Sequence, residues 1–174
     1  AVRTGTAPLP PATQKEFQDR YGIAVLIIYG ASEWMGGVAG WTLDDHKRFG
    51  QEKLGSVGRA RGDISLRVVD PDTGAEVASG EVGLLEVLPV GRIAQERTWT
   101  RTTDRASIDG DGFLYIHGRA DDMILRGGFK VDAAKVADVL AQHPAITEAA
   151  VMGLPDERLG EVPVAAVELR PGCT

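Results

Sequence analysis

The feature that most constrains the fold is an uninterrupted apolar run rich in β-branched residues, Ile23 to Tyr29. Gly22 precedes the run and Gly30 follows it. A short apolar run bounded by glycines is typical of a strand that is buried on both faces of an α/β sheet. Ligands of open α/β sheets usually bind at the carboxyl ends of such strands. We therefore expect the segment that begins at Tyr29 to lie beside a binding site.

The segment before this run predicts a helix from Pro10 to Arg20, because prolines favour the first turn and Phe17 and Tyr21 can share one face. Gly22 is expected to end it. From Gly36 to Ile116 the pattern changes, and glycine-containing turns recur at short intervals. The β-prone segments 64–69 and 82–87 lie between these turns. This pattern predicts short antiparallel strands that form a small β-barrel or sandwich.

A separate unit is expected beyond Asp121. Two short β-prone segments flank Gly127-Gly128, which favours a hairpin. Asp132 can cap a helix that ends before Pro144, and segments 146–154 and 162–169 then predict two strands. The inner face of this helix is predicted to carry Val136, Val139 and Leu140. The expected fold class is therefore α+β, with a small β-β-α-β-β unit at the end of the chain.

Composition excludes several classes of function. The chain has 174 residues, of which 43% are hydrophobic and 25% are charged, as is ordinary for a globular protein. A net charge of -6 argues against broad nucleic-acid binding. The longest apolar run is too short to cross a bilayer, so no transmembrane segment is expected. The single cysteine, Cys173, excludes an internal disulfide and favours a reducing, cytoplasmic location.

Four segments occur together in an order that solubility or strand pairing would not require. They are Thr4-Gly5-Thr6-Ala7-Pro8-Leu9, Tyr29-Gly30-Ala31-Ser32-Glu33, Thr100-Arg101-Thr102-Thr103-Asp104 and the run from Gly118-Arg119-Ala120-Asp121 to Gly127-Gly128-Phe129-Lys130. Each is similar to a motif of the adenylate-forming (AMP-binding) enzyme superfamily, and together they cover nearly all of the chain. The segment after Gly153-Leu154-Pro155 most resembles acyl-CoA synthetases.

The resemblance implies a domain organisation and a reaction. Residues 1–119 would come from the large domain, with a strand and helix segment 1–35 and a β-barrel-like subdomain 36–119. Residues 120–174 would begin the small mobile C-terminal domain. Such enzymes activate a carboxylic acid with ATP and Mg²⁺ as an acyl-adenylate, and then transfer the acyl group to CoA. A fatty or other apolar acid is expected, and the resemblance is compatible with a homodimer.

The resemblance also assigns residues to roles that fit their chemistry. Ser32 and Glu33 would be catalytic, with the Ser32 hydroxyl on the α-phosphate and Glu33 as the Mg²⁺ ligand. Asp121 would be the hinge between the domains, and Gly127 and Gly128 would line the CoA channel. The expected nucleotide-binding residues are Thr6, Ala7, Tyr29, Gly30, Asp104 and Arg119.

Each assignment has an alternative. Ser32-Glu33 taken alone fits a helix cap, Asp104 a turn or surface acid, and Gly127-Gly128 a plain hairpin turn. Arg119 with its neighbouring aspartates fits a surface ion-pair cluster. For the whole protein, the alternatives are an adenylation enzyme that loads a carrier-protein thiol and a non-catalytic interaction module that retains the fold.

Some positions depart from the motifs of the resemblance. Thr6 replaces a glycine and could narrow the pocket, whereas Ser32 replaces a threonine and keeps the hydroxyl. Thr100 and Thr103 replace a tyrosine and a glycine beside Asp104. The phosphate-binding loop and the C-terminal lysine of such enzymes would lie outside residues 1–174. We therefore expect this chain to be part of a longer enzyme and not to form acyl-adenylate by itself.

Asp109-Gly110-Asp111-Gly112 is similar to the opening of a calcium-binding loop. However, the later ligand positions and the required glycine are missing. The segment is therefore predicted to be a hairpin turn.

Overall fold

The computed structural model describes residues 1–5, 8–31, 36–88, 98–120 and 122–173. The chain divides into two compact units, Ala1–His117 and Gly118–Thr174. Within the described ranges, no helix is both long and apolar enough to span a membrane. The division into a large-domain part, 1–119, and a small-domain part, 120–174, stays a prediction.

The first sheet of unit 1 is built around the apolar run. Its order is β1 (Val2–Thr4), β2 (Val25–Ala31), β3 (Gly36–Gly40) and β4 (Arg59–Ala60). Strand β1 is parallel to β2, and the remaining pairs are antiparallel. The first three residues of β2 are buried, which confirms the prediction of a core strand.

Helix α1 (Pro11–Tyr21) packs beside the start of β2. Gly22 ends it with a left-handed φ of 63°, as predicted. The Gln18 Oε1 atom accepts a hydrogen bond of 3.0 Å from the Val25 N–H, and the Gln14 side chain lies 3.5 Å from the Val25 carbonyl oxygen. Two glutamines therefore provide polar partners where β3 does not yet pair with β2.

Helix α2 (Leu43–Phe49) lies in the region where only strands were predicted. The Thr42 hydroxyl caps it by accepting a hydrogen bond of 3.0 Å from the Asp45 N–H. Thr42 followed by Asp44 and Asp45 is the sequence signal of a helix N-terminus, but frequent turn residues obscured it. Beside the helix, the Trp41 and Phe113 rings lie 4.9 Å apart in the core.

The second sheet of unit 1 has the order β5 (Ser65–Val69), β6 (Gly83–Leu88), β7 (Thr100–Ile108) and β8 (Leu114–Arg119). Strands β5 and β6 confirm the predicted segments 64–69 and 82–87. Strands β5 and β8 form the edges, and no pairing among the described residues joins them. Within the described residues, the predicted antiparallel subdomain is therefore an open sheet of four strands. Its core contains Val38, Val68, Leu85, Val87 and Leu114.

The turn between β7 and β8 is held by a lysine. Lys53 Nζ lies 2.9 Å from Asp109 Oδ2 and 2.6 Å from Asp111 Oδ2. Hydrogen bonds with these two carboxylates raise the pKa of Lys53. Burial by itself would raise the pKa of Asp109, but bonds from Lys53 and from the Phe113 and Asp111 N–H groups outweigh it and lower that pKa. The segment is a hairpin turn, as predicted.

Unit 2 contains β9 (Met123–Arg126), β10 (Phe129–Asp132), α3 (Ala133–Ala141), β11 (Ile146–Asp156) and β12 (Gly160–Leu169). The antiparallel sheet has the order β10-β9-β12-β11. The predicted β-β-α-β-β order is confirmed, and Asp132 Oδ1 caps α3 by accepting a hydrogen bond of 3.2 Å from the Lys135 N–H.

The predicted inner face of α3 was partly wrong. Val136 and Leu140 are half-buried, but Val139 is 66% exposed. Val136 and Leu140 lie four residues apart and form one row along the helix, whereas Val139 lies at the margin of that row. A helix of only nine residues therefore buries a stripe narrower than the apolar pattern indicated.

Candidate functional site

The site begins where β2 pairs irregularly with β3. Tyr29 lies opposite Ala39, but the next residue, Gly30, lies opposite Gly37. Val38 is therefore an extra residue on β3, and its side chain is fully buried in the core. A β-bulge of this kind bends the strand and redirects neighbouring side chains, and bulges are common beside active sites.

Gly30 is required by this pairing. A Cβ atom at this position would lie 2.1 Å from the Gly36 carbonyl oxygen and 2.7 Å from the Gly37 Cα atom. These are backbone atoms and cannot move aside as a flexible side chain can. The close approach of the two strands explains the glycine, and the expected contact of Gly30 with a nucleotide stays a prediction.

A second bulge lies in β7, on the other sheet of unit 1. Leu84 of β6 is opposite Arg105, and Glu86 is opposite Arg101. Thus one residue of β6, Leu85, faces three residues of β7, 102–104. Strand β7 therefore has two more residues than β6 at this point. Because side chains alternate between the two faces of a sheet, an even number of extra residues keeps the same faces buried before and after the bulge.

Asp104 is the last residue of this bulge. Its N–H donates a hydrogen bond of 3.0 Å to the Thr102 hydroxyl oxygen, which is the short-range pattern of a threonine turn. Thr103, the residue between them, is exposed. The replacement of the expected glycine by Thr103 is therefore accommodated by a side chain that points away from the core.

Tyr29 and Asp104 meet although they are 75 positions apart in the sequence. The Tyr29 hydroxyl donates a hydrogen bond to Asp104 Oδ2. Both side chains are half-buried, and Tyr29 packs against the core cluster that contains Val38 and Leu85. An ionised carboxylate has about four lone-pair positions, so one tyrosine hydroxyl does not use its full capacity to accept hydrogen bonds.

An ion-pair cluster anchors β7 immediately before the bulge. Arg101 Nε donates a 2.9 Å hydrogen bond to Glu86 Oε1, and Arg67 donates bonds of 2.9 and 2.7 Å to Glu86 Oε2. The Arg67 guanidinium also lies 4.2 Å from the centroid of the Trp99 ring. Burial would raise the pKa of Glu86, but the two arginines outweigh it and lower the pKa. Arg101 of the predicted motif therefore has a structural contact in the sheet.

Sequence reasoning missed Thr102 and Glu86 as residues that support Asp104. The signal for Thr102 was available, because a threonine two residues before an aspartate can form a local side-chain bond to the backbone. The signal for Glu86 was not, since its pairing with Arg101 depends on the register of two separate strands.

The structure describes only some of the predicted site residues. Tyr29, Gly30 and Asp104 belong to unit 1, where Tyr29 and Asp104 are in contact. Arg119 ends β8 and belongs to unit 2. The remaining predicted nucleotide, catalytic and hinge residues lie outside the described ranges: Thr6, Ala7, Ser32, Glu33 and Asp121.

Gly127 and Gly128 form the two-residue turn between β9 and β10. Their φ angles are 57° and 87°, and the flanking residues Arg126 and Phe129 pair directly. Positive φ at both central residues is the geometry of a type I′ hairpin, which strongly favours glycine. The turn alone accounts for both glycines, so their predicted contact with CoA stays a prediction.

Two family models match the sequence. The model described as AMP-binding enzyme matches residues 1–88, which include Tyr29 and Gly30. The model described as AMP-binding enzyme C-terminal domain matches residues 135–174. The first model therefore covers half of the chain, and the second lies within unit 2.

Curated proteins and solved structures agree with these matches. The chain is 33% identical to the sulfoacetate–CoA ligase of Cupriavidus necator, covering 97% of this chain and 34% of that protein. It is 34% identical to a medium/long-chain-fatty-acid–CoA ligase of Mycobacterium tuberculosis, covering 97% of this chain and 31% of that one. The crystal structure of ATP-bound MatB from Rhodopseudomonas palustris is similar at 31% identity with a TM-score of 0.81, covering 99% of this chain and 36% of that one.

The chain thus spans about a third of the length of the proteins that it matches. The matches extend over both compact units and include the two strands whose bulges bring Tyr29 and Asp104 together. Its sequence and its fold lead to the same assignment: the chain belongs to the AMP-binding enzyme family.

Proposed function

We propose that the full-length protein is an ATP-dependent, AMP-forming acid–thiol ligase that makes an acyl-adenylate and transfers the acyl group to CoA. The observation that carries this proposal is the contact of Tyr29 with Asp104 at two bulges of unit 1. These are two of the residues to which the family resemblance gives contacts with the nucleotide. A structural role alone would not require a tyrosine and an aspartate from separate sheets to meet there.

The chemistry of this pair suits a nucleoside. The Asp104 carboxylate can accept hydrogen bonds from the two ribose hydroxyls in addition to the one from Tyr29. The Tyr29 ring offers an aromatic face to adenine, and its attachment to the buried core limits its mobility. Arg119 would add a permanent positive charge near the ribose and phosphates. In this proposal Tyr29 and Asp104 bind and orient the nucleoside.

Activation of the acid is assigned to the segment that follows β2. Ser32 would donate its hydroxyl hydrogen to an α-phosphate oxygen, and Glu33 would supply a hard oxygen ligand to Mg²⁺. The metal ion would neutralise phosphate charge during attack by the carboxylate. Asp121 would be the hinge between domains 1–119 and 120–174, and Gly127-Gly128 would border the channel for CoA. A test of the metal requirement is the dependence of activity on added Mg²⁺ after chelation.

CoA is proposed as the thiol acceptor because the named relatives are CoA ligases. The alternative acceptor is the thiol of a carrier protein. An assay that offers CoA and a phosphopantetheinylated carrier protein separately distinguishes the two. Product on CoA supports the proposal, and product on the carrier protein alone contradicts it.

A fatty or other apolar acid is proposed as the substrate. The fatty-acid–CoA ligase supports this choice, whereas the sulfoacetate–CoA ligase represents the polar alternative within the same family. A panel of acids that ranges from medium-chain fatty acids to sulfonated short acids tests the choice. Higher kcat/KM for the apolar acids is expected. A cytoplasmic location and a homodimer are also proposals, which fractionation and light scattering can test.

The main test is acid-dependent exchange of pyrophosphate into ATP by the full-length protein and its Asp104→Asn variant. Asparagine keeps the shape of the side chain, but it is neutral and accepts hydrogen bonds at only one oxygen atom, so it should bind the two ribose hydroxyls less well. We expect kcat/KM for ATP to fall by about tenfold to a hundredfold, the usual effect of losing hydrogen bonds to a charged group. Asp63→Asn, in an exposed turn of unit 1, is the matched control and should leave exchange unchanged.

Two outcomes would contradict the proposal. Absence of exchange in the wild-type protein with every acid, together with no binding of AMP, would support a non-catalytic module instead. Normal exchange in Asp104→Asn would show that this carboxylate does not bind the nucleotide.

A further inference from the structure

We propose that Thr102 is a positioning residue for the nucleotide site. Its hydroxyl group holds the bulge of β7 in the conformation that directs the Asp104 carboxylate toward Tyr29 and the ribose. This inference rests on the proposed function, because it assumes that Asp104 binds the ribose hydroxyls. It adds a role for a residue that does not itself contact the substrate.

The first step of the argument is the backbone of the bulge. Between the pairs Arg101–Glu86 and Arg105–Leu84, residues 102–104 have no partner in the register of β6. A backbone N–H in such a segment needs another acceptor. The Asp104 N–H finds it in the Thr102 Oγ1 atom at 3.0 Å. The threonine side chain therefore supplies an acceptor within the segment that β6 does not pair.

The second step concerns the ends of the bulge, which are fixed independently. Arg101 is tied to the buried Glu86 carboxylate at 2.9 Å. On the other side, Ala106 is fully buried and pairs with Gly83. Both ends are thus fixed to β6, and residues 102–104, where the Thr102 bond acts, are the part of this segment that β6 does not pair.

The third step links the backbone to the carboxylate. Asp104 is held by its N–H through Thr102 and by its Oδ2 atom through the Tyr29 hydroxyl. Tyr29 is in turn fixed by packing against the core cluster. Supporting contacts of this kind keep a binding group in the productive geometry and lower the cost of ordering it when ligand binds. Loss of the Thr102 bond should therefore weaken only those interactions that pass through the Asp104 carboxylate.

The test compares three variants of the full-length protein: Thr102→Val, Thr102→Ser and Thr103→Val. Valine keeps the shape of threonine but cannot accept the hydrogen bond, whereas serine keeps the hydroxyl. Thr103→Val is the matched control, because Thr103 is the exposed neighbour in the same bulge. Binding of AMP and of 2′,3′-dideoxy-AMP is measured by calorimetry, and thermal unfolding is recorded for each variant.

We expect Thr102→Val to weaken the binding of AMP about tenfold, the usual effect of one lost hydrogen bond near a charged group. Binding of the dideoxy nucleotide should stay within about twofold of the wild-type value, because this nucleotide lacks the ribose hydroxyls that would donate hydrogen bonds to Asp104. Thr102→Ser should bind AMP like the wild type, and Thr103→Val should leave the affinity for both nucleotides unchanged. In turnover, Thr102→Val should raise KM for ATP and leave KM for the acid unchanged.

Several results would overturn the inference. AMP binding by Thr102→Val at the wild-type level would show that the bulge needs no such bond. An equal loss for both nucleotides would indicate general damage to the sheet. If Thr102→Val does not fold, failure of Thr102→Ser to bind AMP like the wild type would still contradict the role of the hydroxyl.

The proposed function fails in a different way. In that case the wild-type protein itself would bind AMP and the dideoxy nucleotide equally, or neither of them. A wild-type preference for AMP combined with an unaffected Thr102→Val variant would overturn only the role of Thr102.

Discussion

Unit 1 and unit 2 are similar in secondary structure but differ in what surrounds their apolar side chains. In unit 1, two core clusters contain fully buried residues such as Phe113, Leu85 and Val38. In unit 2, the buried hydrophobic residues among those described are Ile124, Ala133 and Ile146. Its large apolar side chains with high exposure include Leu125, Phe129, Val139, Met152 and Leu154.

This difference explains why the Tyr29–Asp104 contact, a polar contact with a fixed geometry, lies in unit 1. The Tyr29–Asp104 contact lies against a packed core, so each strand irregularity beside it has buried neighbours that define its position. A tight core transmits small changes in shape. In unit 2, the glycine turn at 127–128 lies at the end of a hairpin, where positive φ angles define its shape and the Gly127 N–H donates a 2.7 Å hydrogen bond to the Leu159 carbonyl oxygen.

The largest expected effect comes from opening the core of unit 1. Phe113 is fully buried between Trp41 and Phe49, so Phe113→Ala should lower the free energy of unfolding by about 3–5 kcal/mol. In unit 2, Val139 is 66% exposed, so Val139→Ala should change the free energy of unfolding by less than about 0.5 kcal/mol. Urea unfolding of the full-length variants, with hydrogen exchange to localise the loss, measures both. Similar losses for the two variants would break the comparison.

The next effect concerns two glycines that are needed for different reasons, Gly30 for close packing of two strands and Gly128 for its positive φ angle. Gly30→Ala would place a Cβ atom against backbone of β3, and we expect a loss of about 3 kcal/mol together with loss of AMP binding. Gly128→Ala meets no heavy atom within 4 Å, so only its φ of 87° is unfavourable, at about 1–2 kcal/mol. Thermal unfolding and AMP calorimetry test this order. The reverse order would show that the turn, and not the bulge, is the more constrained element.

A smaller effect should depend on pH. The two arginines lower the pKa of Glu86 in the folded protein below its unfolded value of about 4.3. Its contribution is therefore present above that value and is lost as the pH falls through the lower, folded pKa. Glu86→Gln should cost about 1.5–3 kcal/mol at neutral pH, the usual effect of losing hydrogen bonds to a charged group. It should also lose less stability than the wild type as the pH falls through the lowered pKa of Glu86.

The matched control for this prediction is Glu157→Gln, which removes an exposed carboxylate of unit 2. It should follow the wild-type pH profile. Unfolding by urea at a series of pH values gives both curves. A Glu86→Gln profile parallel to that of the wild type would contradict the assignment of this carboxylate.

The smallest effect is expected on the exposed face of unit 2. Met152 is 53% exposed in β11, so Met152→Thr should change the free energy of unfolding by less than about 0.5 kcal/mol. Thermal unfolding of the full-length protein measures it. A loss above about 2 kcal/mol would show that another part of the full-length protein covers this face, and it would weaken the contrast between the two units.

Local patterns of the sequence predicted most of the elements. The apolar run before Tyr29 predicted β2, and Gly22 and Asp132 predicted where helices end and begin. The glycine pair at 127–128 predicted its hairpin because positive φ is a local property of the backbone. Helix α2 was missed, since its Thr42 cap lies among turn residues that also fit loops between strands. The exposure of Val139 depends on the packing of α3, which periodicity alone does not define.

What the sequence determined by itself was the family resemblance, the alternation of elements and the candidate residues Tyr29 and Asp104. Only the tertiary structure decided that these two side chains meet, because the contact requires two bulges in strands of different sheets. A bulge depends on the register between neighbouring strands, and that register is set by which side chains become buried together. For the same reason, the Arg101–Glu86 pair that anchors β7 just before Asp104 became visible only in the folded chain, whereas the bond of Thr102 to the Asp104 N–H is local in sequence.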